Sequence, residues 1–269
     1  EISKLEDEHW RNVKQKEISE IIAACSGLYL EAVADSQSAT PGSNLKIRWE
    51  AINRCGETIR LKSITLVPEN RTVKTDTLLA GNVDIENTID AVIPKTAAYT
   101  SPYWLKEKGN TGMYTVNDLQ KIGQPDIIRE ISATFMVDIN GTTIPFERTI
   151  IYKFNDPVAG EVYQPLDIIP AVTTHIMNKV QLFKDGKSQV ASVRIKAGKD
   201  NCKGNLRLEL PQGWKVSPAS IPFDLAKKGS ETIVNFQVTP PDAPSEATAR
   251  SIATINGEEF DREQITIAY

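Results

Sequence analysis

The 269 residues carry 31 Lys and Arg against 35 Asp and Glu, a net charge of −4 at pH 7, and 40% are hydrophobic. That balance leaves no basic footprint for nucleic acid and no cationic face for a membrane, while the length suits two domains, each burying its own core. No apolar run approaches the length of a membrane span, and no signal peptide is present.

The chain opens at Glu1 rather than at methionine, which reads as a segment of a longer or processed protein. Its cysteines, Cys25, Cys55 and Cys202, are odd in number and far apart, so they build neither a disulfide framework nor a zinc knuckle. Buried, reduced thiols are the expectation.

Residues 3–26 read as a helix, with Ser3 as N-cap, Glu6 at the capping-box position and Gly27 as the C′ residue. At about 100° per residue its apolar positions split between two sides. Ile2, Leu5 and Val13 share one, and Ile18, Ile21, Ile22 and Cys25 the other. Two readings stay open: a helix bridging to an upstream domain through Ile2, Leu5 and Val13, or a helix wrapped by one curved sheet.

From Leu28 the period becomes two. Leu28–Val33 is a strand, and Thr40-Pro41-Gly42-Ser43 is a turn. Leu45, Ile47, Trp49 and Ala51 then alternate with Lys46, Arg48 and Glu50, the pattern of a half-buried strand. Ile59–Val67 and Ile85–Ile93 follow. Ile131–Asn140 and Thr142–Phe154 form a hairpin about Asn140-Gly141, residue types that tolerate positive φ in a type I′ turn. Turn signals fall at sandwich spacing.

The loop 99–123 breaks the alternation and gathers Tyr103, Trp104 and Tyr114. Long loops inside a domain are usually functional or tied down by their own side chains. Three roles are open to these aromatics: a plug over a sandwich end, a protein interface, or a platform for sugar rings. Asp156–Pro165, rich in turn residues, is the expected domain boundary. Beyond it, short strands are expected at 166–170, 172–177 and 180–183, then at Gln189–Ala197. Leu206, Leu208 and Leu210 alternate up to Pro211, Gly213 permits a tight corner, and Trp214 can fold back over the core. Val234, Phe236 and Val238 alternate until Pro240-Pro241. Strands at 249–255 and 262–268, joined at Asn256-Gly257, complete the second sheet pair.

Catalytic chemistry is thinly represented. His9 and His175 stand alone, without the partners of a zinc site or a Ser-His triad, and no metal or cofactor is expected. Carboxylates such as Asp84, Glu86, Asp90, Glu258, Glu259 and Asp261 leave a hydrolytic acid pair open by type alone. No calcium loop or phosphate loop appears.

Pro211-Gln-Gly213-Trp214-Lys-Val216, Gly229-Ser230 and Val238-Thr-Pro240-Pro241 resemble the immunoglobulin-like domain that accompanies a carbohydrate-binding module in α-galactosidases, over about residues 185–269. A second resemblance spans nearly the whole chain. It is carried by the segment from Lys16 to Leu28, by Ala39–Gly42, Ala51–Arg54, Pro102–Leu105 and Thr111–Tyr114, and by Tyr152–Glu161 with Tyr163–Leu166. These are similar to the region following the catalytic domain of long PIG-L/LmbE-like deacetylases of Bacteroidetes-type bacteria. The resemblance implies a non-catalytic C-terminal part of an exported, periplasmic or extracellular, zinc-dependent sugar N-deacetylase. Its partners would be the missing N-terminal catalytic domain and a glycan. The Ala-His-Pro-Asp-Asp signature of that enzyme is absent, so no catalytic residue is carried over.

The expected fold class is all-β, two antiparallel immunoglobulin-like β-sandwich domains preceded by one N-terminal α-helix. The expected parts are a linking helix at 1–27, a first sandwich at 28–156 and a second at 157–269. The alternatives to a scaffold are a carbohydrate-binding module, a structural protein-interaction spacer, and a hydrolase using paired carboxylates.

Overall fold

Alternating apolar and polar residues dominate the chain, and strands dominate the structure. A computed structural model describes residues 2–124, 129 and 131–266. After a 3₁₀ turn at Ile2–Lys4 come α1 (Glu8–Cys25), β1 (Leu28–Ala34), β2 (Ser38–Ala39), β3 (Asn44–Asn53), β4 (Ile59–Val67), β5 (Arg71–Leu78) and β6 (Asp84–Val92). The chain continues through β7 (Ser132–Ile139), β8 (Thr142–Thr149), β9 (Ile151–Asp156), β10 (Gly160–Pro165) and β11 (Asp167–Ile168). Then follow β12 (Val172–Ile176), β13 (Gln189–Ala197), β14 (Cys202–Glu209), β15 (Lys215–Ser217), β16 (Ile221–Leu225), β17 (Glu231–Thr239), β18 (Arg250–Ile255) and β19 (Glu258–Phe260). The fold is all-β with one N-terminal helix and two sandwiches whose sheets are antiparallel apart from a parallel contact between β1 and β9 at Val33 and Ile151.

Two units divide the chain. The first holds the residues up to Gln37 and Gly42–Asp167; the second holds Ser38–Pro41 and everything from Ile168. The segment 156–165, expected as a boundary, is the turn and second strand of the β9–β10 hairpin, paired from Asp156/Gly160 to Ile151/Pro165. Asp156 makes that turn itself, its carboxylate accepting from the N–H groups of Val158 and Ala159 at 2.8 Å each.

In the first unit the sheet β10-β9-β1-β3-β6 packs with β5-β4-β7-β8. Leu45, Ile47, Trp49 and Ala51 of β3 are buried as the alternation requires. On β4 the buried positions are Ile59 and Leu61, then Ile64 and Leu66. A register shift between Leu61 and Ser63 absorbs the extra residue, so both halves keep their apolar side inward. Strand β5 was not foreseen. Its sequence, RTVKTDTL, alternates exposed with half-buried residues along a sheet edge and carries little apolar signal. The β7–β8 hairpin turns at Asn140 (φ 50°) and Gly141 (φ 86°), as a type I′ turn demands.

Helix α1 begins at Glu8, later than the sequence implied. Asp7 is the N-cap, its carboxylate accepting from Trp10 N–H at 3.0 Å, while Ser3 lies in the preceding 3₁₀ turn. The helix ends as expected: Gly27 adopts φ 55° and donates to Ala24 C=O at 3.1 Å.

In the second unit the sheet β12-β13-β17-β15 faces β16-β14-β18-β19. The order matches an A-B-E-D sheet over a C-F-G sheet with one added strand beside C, the immunoglobulin-like arrangement. Val193, Ile195, Leu206, Phe223, Phe236 and Ala253 form its core, and Trp214 packs on this core with Phe183, ring centroids 5.2 Å apart. No strand forms at 180–183. The last hairpin closes through Glu258–Phe260 rather than 262–268, of which 267 and 268 lie outside the described residues. Cys202 is buried as expected, but Cys55 is half-buried and Cys25 exposed.

Candidate functional site

The loop 99–123 brings Tyr103 and Trp104 together and leaves Tyr114 apart. Tyr103–Leu105 is a 3₁₀ turn after Pro102. The two rings meet edge to face, centroids 4.8 Å apart at 90°. Tyr103 Oη accepts from Gly123 N–H at 3.2 Å, joining the loop's two ends. Both aromatics are half-buried, whereas Tyr114 is 67% exposed. A sugar platform needs ring faces turned to solvent in a common plane. Perpendicular rings whose contact uses one edge and one face do not offer it. Tyr103 and Trp104 thus behave as a pin within the loop, while Leu105, Met113, Tyr114, Leu119 and Ile122 present apolar groups to solvent.

The proposed docking trio on the N-terminal segment is not a helix face. Ile2 and Leu5 precede α1, in and just after the 3₁₀ turn, and Arg11 Nη1 donates to Leu5 C=O at 2.7 Å. Ile2 and Val13 are half-buried, and Leu5 is exposed. A different set is exposed on the helix itself. Trp10, Ile18, Ile21 and Cys25 fall within about 80° of arc at 3.6 residues per turn. Trp10 is 54% and Ile21 56% exposed, and Cys25 is exposed. Ala23, buried, lies on the opposite side, where α1 packs on β1 and β8. Arg148 on β8 fastens that side through Glu20 at 2.8 Å. Lys14 falls within the same arc, its Nζ 5.8 Å from the Trp10 ring centroid and paired with Glu17 at 2.7 Å. The helix therefore has one anchored side and one apolar stripe without a partner among the described residues. Sequence reasoning found Ile18, Ile21 and Cys25 but missed Trp10, whose place on their side depends on where the helix starts.

Three of the six acids singled out by type are paired with arginines. Glu86 meets Arg48 at 2.7 Å, Glu259 meets Arg207 at 2.9 Å, and Asp261 meets Arg250 at 2.6 Å. A denser network, not foreseen, lies on the β10-β9-β1-β3-β6 sheet. Register sets Glu31, Glu50 and Glu86 in one row across β1, β3 and β6. Lys153 Nζ contacts Glu31 at 2.7 Å, a close ion pair rather than an aligned hydrogen bond, and Glu161 at 3.2 Å. Tyr163 Oη hydrogen-bonds Glu161. Burial pushes the Glu50 carboxyl up, with Asp84 and Glu31 adding to it. Burial likewise drives the Tyr29 hydroxyl to about 12, aided by the nearby Glu31 carboxylate. These pairs tie the β9–β10 hairpin to β1. The signal in sequence was Glu31, a charge inside an otherwise apolar strand.

Among the described residues no group of three His, Cys, Asp or Glu side chains could hold a metal ion, and no helix is long and apolar enough to cross a membrane.

No family model matches the sequence, and no curated protein matches it. Among solved structures, the chain is similar to the red sea bream transglutaminase at 9% identity and a TM-score of 0.35, covering 93% of this chain and 34% of that one. It is similar to E. coli alpha-2-macroglobulin at 11% identity and a TM-score of 0.28, covering 88% of this chain and 16% of that one. A protein of unknown function from Porphyromonas gingivalis W83 aligns at 12% identity and a TM-score of 0.24, over 87% of this chain and 97% of that one. The chain thus spans about a third of the transglutaminase and about a sixth of the macroglobulin. At these scores none of the three lends its function to the chain.

Proposed function

We propose that the chain is a non-catalytic accessory region in which α1 docks on a catalytic domain and the two sandwiches serve as its scaffold. The observation that carries this reading is the apolar stripe of Trp10, Ile18, Ile21 and Cys25, opposite the side of α1 that packs on its own sheet. Apolar groups gathered on one exposed face mark interaction surfaces more often than isolated ones do. The class of partner rests on the resemblance through Lys16–Leu28 and Tyr152–Leu166: a zinc-dependent sugar N-deacetylase of PIG-L/LmbE type, exported, with the scaffold positioning the catalytic domain or its glycan.

The test is a titration of an isolated PIG-L-type N-acetylglucosamine deacetylase domain with this chain, followed by tryptophan fluorescence. Expected is a saturable blue shift from Trp10, abolished by Ile21→Asp in a variant that keeps its melting temperature. An unmoved emission spectrum, with the two proteins eluting separately in gel filtration, overturns the docking. Release of acetate from N-acetylglucosamine by the chain alone with zinc overturns the non-catalytic assignment.

A further inference from the structure

A polar groove lies wholly within the second unit. On the outer face of the β12–β13–β17 sheet, register sets His175 beside Arg194, and Thr173 beside Lys196 with Glu231 beyond it. The inner residues of the same strands, Val172, Val193 and Ile195, are core, so strand alternation alone turns this polar set outward. The chain beyond β19 forms the groove's other wall. Arg262 C=O accepts from Thr174 N–H at 2.9 Å, which brings Glu263 and Gln264 alongside β12. The enclosed volume is about 280 Å³.

The charges in this groove are unevenly satisfied. His175 Nδ1 lies 2.6 Å from Glu263 Oε1, yet this buried nitrogen makes no hydrogen bond among the described residues. Arg194 and Lys196 are half-buried, and neither has an ion pair or hydrogen bond among the described residues. Elsewhere half-buried cations are paired, as Lys153 is with Glu31 and Arg148 with Glu20. Taking a cation partly out of water without a counter-ion is costly, and a bound anion would supply one. The guanidinium fork suits a carboxylate or phosphate edge, and the ammonium beside it adds a point charge. Gln264 and the Thr173 hydroxyl can bond neutral polar groups of the same ligand. Exposed Glu231 lies beyond Lys196 and Glu263 contacts His175, so the ligand's negative group belongs at the Arg194 guanidinium, with which neither carboxylate forms an ion pair.

We propose that this groove binds a small organic oxyanion, a carboxylate- or phosphate-bearing molecule about the size of one sugar ring. Its volume lies near the small end of ordinary ligand sites, about 300 Å³. The site does not depend on the docking role of α1 and fails or stands separately from it.

The test is a ¹H–¹⁵N NMR titration of the full chain at low ionic strength with inorganic phosphate, with glucuronate, and with neutral glucose. Expected are saturable shifts confined to the amides of 173–175 and 194–196 with phosphate or glucuronate and none with glucose, the tighter anion assigning the ligand class. Arg194→Met should weaken that binding about tenfold or more, Arg194→Lys less, and Glu231→Gln should tighten it. Circular dichroism and melting temperature serve as the fold control, and Arg194→Lys keeps the test open should the Met variant lose structure. Absence of saturable shifts with both anions, shifts equal in the wild type and Arg194→Met, or equal binding of glucose overturns the proposal.

Discussion

Glu31 and Glu50 stand directly opposite each other across the β1–β3 ladder, and Lys153, reaching in from β9, holds Glu31 at 2.7 Å. Like charges in register repel, so the row needs counter-ions: Lys153 serves Glu31, while Arg48 lies 3.7 Å from Glu50 and 2.7 Å from Glu86. Replacing Lys153 with Met leaves Glu31, with its side chain only 9% exposed, without a counter-ion. The expected loss is about 2–3 kcal/mol, below the full cost of a broken buried pair because the site retains some solvent. Urea denaturation checks it, and adding Glu31→Gln should return part of the loss, since the two changes share one interaction.

The same cluster governs behaviour in alkali. The Tyr29 hydroxyl titrates at about 12, through burial first and Glu31 next. Burial alone would lower Lys153, but its close contacts with the carboxylates of Glu31 and Glu161 more than offset that and raise it. Both groups have folded-state values above their unfolded ones. Their stabilisation is therefore complete below about pH 10 and is lost as pH rises through the folded values. Unfolding free energy should decline from about pH 10 upward. Phenolate absorbance should show Tyr29 among the last of the 7 tyrosines to ionise, and earlier in Glu31→Gln.

The N-cap distinguishes two places where α1 could begin. Asp7→Ala removes the acceptor for Trp10 N–H and should cost about 1 kcal/mol with a loss of ellipticity at the helix band. Ser3→Ala, at the position the capping pattern indicated, should change neither.

Gly204 on β14 has no room for a side chain. A Cβ there would meet Thr254 C=O at 2.1 Å and Phe223 Cζ at 3.0 Å, and the first of these is backbone that cannot swing aside. Gly204→Ala is expected to destabilise the second unit by about 2 kcal/mol or more, through forced separation of β14 and β18. Calorimetry should show the lower transition temperature. Gly56→Ala, with nothing near its Cβ, provides the control.

Local pattern carried the fold wherever burial repeats every second residue. Leu45 to Ala51, Leu206 to Leu208, and Asn140-Gly141 all behave as their spacing implies. What escaped was set by partners far away in sequence. Strand β5 gains its place by pairing with β4 rather than by its own hydrophobicity. The β9–β10 hairpin looked like a linker because Asp156-Pro157 and Gly160 signal a turn without saying what lies on either side. The candidate sites were harder still. Trp10 joins Ile18 and Ile21 only once Asp7 sets the start of the helix. Arg194 and Lys196 form a groove only because residues near 262 return beside β12. Lone residue types such as His175 gave no warning of that neighbourhood.

The second unit is not one uninterrupted stretch of chain. Residues 38–41, encoded far upstream, belong to it. Ala39 C=O accepts from Ile169 N–H at 2.9 Å, and Ser38 C=O accepts from Lys228. A fragment cut at 168 would therefore leave part of its own fold behind on the other piece. Genetic dissection at the obvious joint should yield a weakened immunoglobulin-like unit, whereas a circular permutant that supplies 38–41 in tandem should restore it. For this protein, modularity in space does not translate into modularity in the gene.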